Sequence, residues 1–200
     1  MTQTKFRPIL FSTPMVQAIL EGRKTQTRRV VKHQPSEKGG LAFNDGEHPQ
    51  MKCPYGEIGD VIWVRETMIY NKNSETFWPV ADGYSKSVCE KTGKTFEYEK
   101  TIPAIYMPEQ ACRLFLKITD IRVERLQEIT EEDAIAEGVD KYGIQDNFAY
   151  KDYVNSKSSY GQAKNSFMSL WYLINGVESW MTNPWVWVIS FERIEKPADF

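Results

Sequence analysis

Histidine is almost absent from this chain, with His33 and His48 the only two in 200 residues, and cysteine is scarce, with Cys53, Cys89 and Cys112 widely spaced. Three is an odd number and no C-x-x-C pair occurs, which excludes a disulfide framework and removes the paired spacing that makes zinc motifs specific. Cys89-Glu-Lys-Thr-Gly-Lys94 has the outline of a knuckle without a partner pair, so no metal and no cofactor are expected. No apolar stretch reaches membrane-spanning length, and Met1-Thr-Gln-Thr-Lys-Phe-Arg7 lacks the hydrophobic centre of a signal peptide, which predicts a cytoplasmic protein without membrane association. Charge of one sign is missing too. Lys and Arg number 25 against 27 Asp and Glu, a net charge of −2 that argues against wholesale polyanion binding. Internal repeats are absent, and no signal speaks to oligomeric state.

What is present describes one globular domain. Hydrophobic residues make up 41% and charged residues 26% of the chain, enough for a core in a single domain spanning 1–200. Pro8 to Phe11 reads as a first strand, and Thr13-Pro14 then opens a helix that runs to about Leu20. A strand follows from Thr25 to Val31. Val61 to Glu66 reads as the clearest buried strand, Ala104 to Met107 resumes apolar alternation, and Arg113 to Arg125 is long enough for one bent strand or two. Thr130-Glu-Glu-Asp133 resembles a capping box with acids in the first turn, ahead of a helix over Glu131 to Glu137 that ends at Gly138. A third helix is predicted over Gln162 to Ile174, and the aromatic alternation of Trp185 to Arg193 makes a last strand. Between these lie loop insertions at about 32–56, 67–102 (with a hairpin at Lys91 to Lys94) and 140–160. About six strands and three short helices, seldom alternating, predict an α+β fold: a small mixed β-barrel with helical decoration.

One segment stands out as a candidate site. Gly22 follows the apolar stretch Met15 to Leu20 and marks a left-handed helix terminator, after which the chain extends. Strand period puts Thr25 and Thr27 on one face and Gln26 and Arg28 on the other, with Lys24 at the junction. Arg23, Lys24, Arg28, Arg29 and Lys32 fall within ten residues with no acid among them. Two cations, a hydroxyl and free backbone donors at one turn suit an anionic or carbonyl-bearing ligand, and equally describe a solvated basic turn.

These residues resemble a known family. Gly22, Lys24 and Arg28 match the G-x-K-x-x-x-R signature of the ASCH domain, a PUA-like β-barrel family. A G-D-Φ-Φ-x-V element (Gly59 to Val64, Φ apolar) and the run Leu126 to Gly138 occur in the order such a domain has. The chain looks most like larger phage and prophage members, with the insertions outside a minimal domain. A bacterial branch hydrolyses the acetamide of N4-acetylcytidine with a lysine, a threonine and a glutamate, and the resemblance places these at Lys24, Thr27 and Glu137.

The implied chemistry is coherent. A threonine hydroxyl needs a base, and a partly desolvated lysine can have its pKa lowered enough to serve. Lys24 would deprotonate Thr27, and Glu137 would orient the lysine or exchange protons with amine and water. In a second scheme Glu137 activates water while Lys24 stabilises the oxyanion. Arg28, or backbone amides near Gly22, would bind an oxyanion or phosphate, with Arg23 and Arg29 as further substrate contacts and Tyr70 and Trp78 as pocket walls. The partner is then a modified nucleoside, or RNA or DNA. Two further readings stay open: a module that binds RNA or modified nucleic acid without chemistry, and a metal-independent ribonuclease using Lys24 and Arg28.

Overall fold

The computed structural model describes residues 5–34, 52–72, 74–83, 100–144 and 147–200. The Lys91 to Lys94 hairpin, Cys89 and His48 lie outside the described residues. Five strands form the main sheet: β1 (Phe6–Leu10), β2 (Gln26–Val30), β3 (Val61–Arg65), β7 (Phe115–Arg125) and β11 (Trp185–Ile194), in the order β1-β3-β7-β11-β2. β1 lies parallel to β3 and the remaining pairs are antiparallel. Three strands, β4 (Met68–Asn71), β5 (Thr76–Pro79) and β6 (Lys100–Ile102), make a second sheet. A third contains β8 (Lys141–Ile144), β9 (Asn147–Lys151) and β10 (Ser159–Tyr160). The helices are α1 (Thr13–Leu20), α2 (Glu131–Ala136), α3 (Ala163–Asn175) and α4 (Val177–Met181). The fold is α+β, and no described helix is long and apolar enough to cross a membrane.

β11 explains why the sheet has helices on both sides. Its side chains alternate, yet both sets are apolar: Trp187, Ile189 and Phe191 join Phe11, Val16 and Ile19 in one core, while Val186 and Val188 join Phe167, Trp171 and Trp180 in another. A strand apolar on both faces must be covered on both. α1 therefore packs on one face, and α2, α3 and α4 on the other. A third core of Val61, Trp63, Met68, Met107 and Phe115 lies toward the β4 sheet. The long strand β7 is continuous, and its register against β11 passes from the Asp120–Ser190 pair to the Ile118–Phe191 pair, which leaves Thr119 as a bulge that bends it.

Several expectations need correction. Among the described residues the main sheet is open, not closed into a barrel. The backbone ahead of β2 pairs instead with the end of α2, through a Lys24–Glu137 bridge and a Thr25 N–H donated to the Ala136 carbonyl at 2.8 Å. The gap to β1 is spanned only by a side chain, the Arg29 guanidinium donating to the Leu10 carbonyl at 2.7 Å. Ala104 to Tyr106 is a 3-10 turn, not a strand, because prolines at 103 and 108 bracket it. The insertions expected as loops at 67–102 and 140–160 carry the second and third sheets.

Candidate functional site around Glu137

α1 ends as its glycine requires. Gly22 has φ +75°, and the Arg23 and Lys24 amides both donate to the Ala18 carbonyl, at 2.9 and 3.0 Å. That turn delivers Lys24 to the interior. α2 arrives from the other side: Thr130 Oγ1 caps it by accepting from the Asp133 N–H at 3.1 Å, and Gly138, with φ +83°, terminates it. Glu137 is left at its C-cap, beside the backbone of Lys24.

Lys24 is 2% exposed and Glu137 5%. The lysine ammonium donates to Glu137 Oε2 at 2.7 Å, to the Glu137 carbonyl at 2.9 Å and to the Gln26 carbonyl at 2.8 Å. All three N–H groups are thus used, the pattern of a charged amine. Burial pulls the Lys24 pKa down, as do the nearby Arg29 and Arg28 charges, while Glu137 opposes them by charge and hydrogen bond. Glu137 Oε1 accepts from Arg28 Nη1 at 3.3 Å. A carboxylate between two cations is oriented on both oxygens.

Arg28 extends the network. Its Nη2 donates to Asp133 Oδ2 at 2.8 Å and to Glu124 Oε1. Arg122 bridges the same two acids, to Glu124 Oε2 at 3.0 Å and Asp133 Oδ1 at 2.7 Å, and Gln26 Nε2 donates to Asp133 Oδ1 at 3.0 Å. Burial alone would raise the Asp133 pKa; the hydrogen bonds from Gln26 and Arg122 and the charges of Arg28 and Arg122 outweigh it, so the net direction is downward. Lys24, Arg28 and Arg122 stand against Glu137, Glu124 and Asp133, so the cluster is electrically balanced.

Two clefts meet at Glu137. The narrower has about 80 Å³ of free volume and is lined by Thr27, Arg28, Arg29, Glu137, Phe167 and Trp171. The wider, about 410 Å³, is lined by Glu137, Asp140, Lys151, Tyr153, Leu170 and Leu173. Met15, Glu137, Leu170 and Ile174 border both. Lys24 lines neither and lies behind Glu137. The Thr27 hydroxyl forms no hydrogen bond with any described residue, and Arg28 Nε and Arg29 Nε are buried donors without a partner among them. Tyr153 accepts from the Asp140 N–H at 2.8 Å, and burial pushes its phenol up to about 12, so it stays neutral beside the Lys151–Asp140 pair.

Of the residues expected at a site, Lys24, Thr27, Glu137, Arg28 and Arg29 are brought together. Gly22 acts through its backbone turn. Arg23 lines neither cleft itself but stands behind the wall of the wider one, its Nη1 on the Gly138 carbonyl at 2.9 Å, its Nη2 at 3.4 Å from Asp140 Oδ1 and its Nε on Glu21 at 2.7 Å. Tyr70 and Trp78 lie on the β4 sheet, where Tyr70 packs on Phe77 at 5.3 Å and Trp78 lines a separate cleft with Asp82 and Arg113. Asp133, Glu124, Arg122 and Gln26 were not anticipated. A signal existed for Asp133, because it sits four residues before Glu137 and so on the same helix face. Glu124 and Arg122 share a β7 face by strand period. No group of three or more His, Cys, Asp or Glu side chains among the described residues is placed to hold a metal ion.

No protein-family model and no curated protein sequence matches this chain. Among solved structures, the chain is similar to the crystal structure of protein EF3133 from Enterococcus faecalis V583, with the family description DUF984. The two are 9% identical with a TM-score of 0.37, and the match covers 90% of this chain and 66%, just under two thirds, of that one. At that distance the likeness assigns no activity, and the functional reading rests on the cleft at Glu137.

Proposed function

We propose that the protein is a hydrolase acting on the amide of a modified nucleobase or nucleoside, of the N4-acylcytidine kind, at the clefts beside Glu137. The observation that carries this reading is that Thr27 and Glu137 face one cleft while the Lys24 ammonium is buried behind the carboxylate at 2.7 Å. The ASCH resemblance of Gly22, Lys24 and Arg28 supports it. In this reading the Thr27 hydroxyl attacks the amide carbonyl and its proton passes to Glu137 through one water. A guanidinium that lines the cleft, Arg28 or Arg29, stabilises the oxyanion by its charge. Collapse breaks the C–N bond, the proton on Glu137 goes to the departing amine, and water then cleaves the threonine ester to free the acid and restore the hydroxyl. Lys24 is a positioning residue: its ammonium fixes the Glu137 carboxylate through their 2.7 Å contact.

Charge balance favours a small-molecule substrate over a nucleic-acid backbone at this cleft. Arg28 and Arg122 are already paired with Glu124 and Asp133, so of the guanidiniums at this cleft Arg29, which donates to the Leu10 carbonyl, is left to meet a phosphate, one contact where a nucleic-acid backbone engages several. The test is release of acetate and cytidine from N4-acetylcytidine by the purified protein. Thr27→Val should keep the fold, since the hydroxyl bonds no described residue, and abolish turnover; Glu137→Ala and Lys24→Ala should abolish it as well. Undiminished turnover by Thr27→Val would remove threonine from the chemistry.

A further inference from the structure

The wider cleft is larger than an acetyl group needs. On the reading above, Glu137 stands at the boundary of the two clefts, so a substrate reacting there extends its two ends into different compartments. The narrow side offers polar groups, Thr27, Arg28, Arg29 and Asn175, beside the aromatic rings of Phe167 and Trp171, which pack on each other at 6.0 Å. That lining matches a planar base with ring heteroatoms. The wide side is different in kind. Its walls are Pro14, Met15, Leu170, Leu173 and Ile174, and its charged groups are already paired: Asp140 meets Lys151 Nζ at 3.1 Å and Arg23 Nη2 at 3.4 Å, Arg23 also holds Glu21 at 2.7 Å, and Glu137 is held by Lys24 and Arg28. Leu173 is 63% exposed and Ile174 53%, so the rim presents apolar surface that a ligand would take out of water.

We infer that the wide compartment is an acyl subsite, and that the preferred substrate carries an uncharged, apolar N-acyl group several carbons longer than acetyl. Lys151, at the end of β9, and Tyr153, in the loop that follows it, form its far wall and set its length. Each added methylene that reaches Leu170, Leu173 or Ile174 leaves water and strengthens binding next to the reacting carbonyl.

The experiment compares N4-acetyl-, N4-butyryl- and N4-hexanoylcytidine as substrates, alongside calorimetric binding of N4-methyl- and N4-hexylcytidine, which have no amide to cleave. The native protein, Leu173→Glu at the rim and Val177→Glu as a neighbouring surface control are measured together. The expected result is a rise of tenfold or more in kcat/KM from acetyl to hexanoyl, with hexyl binding tighter than methyl. Leu173→Glu should erase both gains, and Val177→Glu should keep them. Equal rates across the acyl series would overturn the subsite and leave the hydrolase reading standing. If no acylcytidine is cleaved but hexyl binding remains tighter and sensitive to Leu173→Glu, the apolar subsite holds and the hydrolase reading falls. Neither cleavage nor length-dependent binding would remove both.

Discussion

Replacing Gly138 by alanine sets a helix terminator against the buried lysine. Two costs arise at once. The backbone there has φ +83°, and a Cβ built on it would lie 2.7 Å from Lys24 Cβ and 3.1 Å from Ala18 Cβ. Left-handed backbone costs a non-glycine residue roughly 1–2 kcal/mol, offset by about 0.4–1 kcal/mol from a less flexible unfolded chain. Overpacking adds about 1–3 kcal/mol. Gly22 provides the control, because its φ is a similar +75° and nothing lies within 4 Å of its Cβ position. Gly22→Ala should therefore show the backbone cost alone, and Gly138→Ala should exceed it by about 1–3 kcal/mol, the overpacking part. Urea unfolding followed by circular dichroism, with equal m-values, reads the difference. Equal losses in the two variants would mean that Lys24 and Ala18 do not press on residue 138. On the proposed hydrolysis, turnover is a second readout: displacing Lys24 should lower it in Gly138→Ala and not in Gly22→Ala.

Two more outcomes follow from the same network. Asp133 has a folded pKa below its ordinary 3.8, so its contribution is present above that value and lost as the pH falls through the folded pKa. Asp133→Asn should thus flatten the loss of stability between pH 5 and pH 2, measured as urea midpoints; an unchanged slope would place the acid sensitivity elsewhere. Thr130→Ala removes the acceptor of the Asp133 N–H and should cost about 1 kcal/mol of stability, and a thermal scan showing no loss would deny the cap a role.

The legible parts of this molecule were those encoded locally. Gly22 and Gly138 announced helix ends because only glycine takes a left-handed backbone freely, and Thr130 announced a helix start because its hydroxyl can accept from the third amide on. β11 was legible through its alternation. The parts missed depend on partners far away in sequence. Nothing local says that Arg28 meets Glu124 and Asp133, 96 and 105 residues on, or that Met15 and Leu170 border the same clefts. The polar insertions read as loops because their strands are short, as with the two-residue β10, and periodicity needs length to register. Tyr70 and Trp78 were expected at the pocket from residue type alone, with no means of placing the sheet that carries them.

The Lys24–Glu137 contact spans 113 residues of chain. Closing a loop of that length has to be repaid by other contacts, and the pairing of β2 with β11, whose Gln26 and Ser190 are 164 residues apart, supplies them next to Lys24. The buried pair thus depends on a strand contact longer in range than its own, and loosening β2 from β11 would separate the ammonium from the carboxylate without touching either side chain.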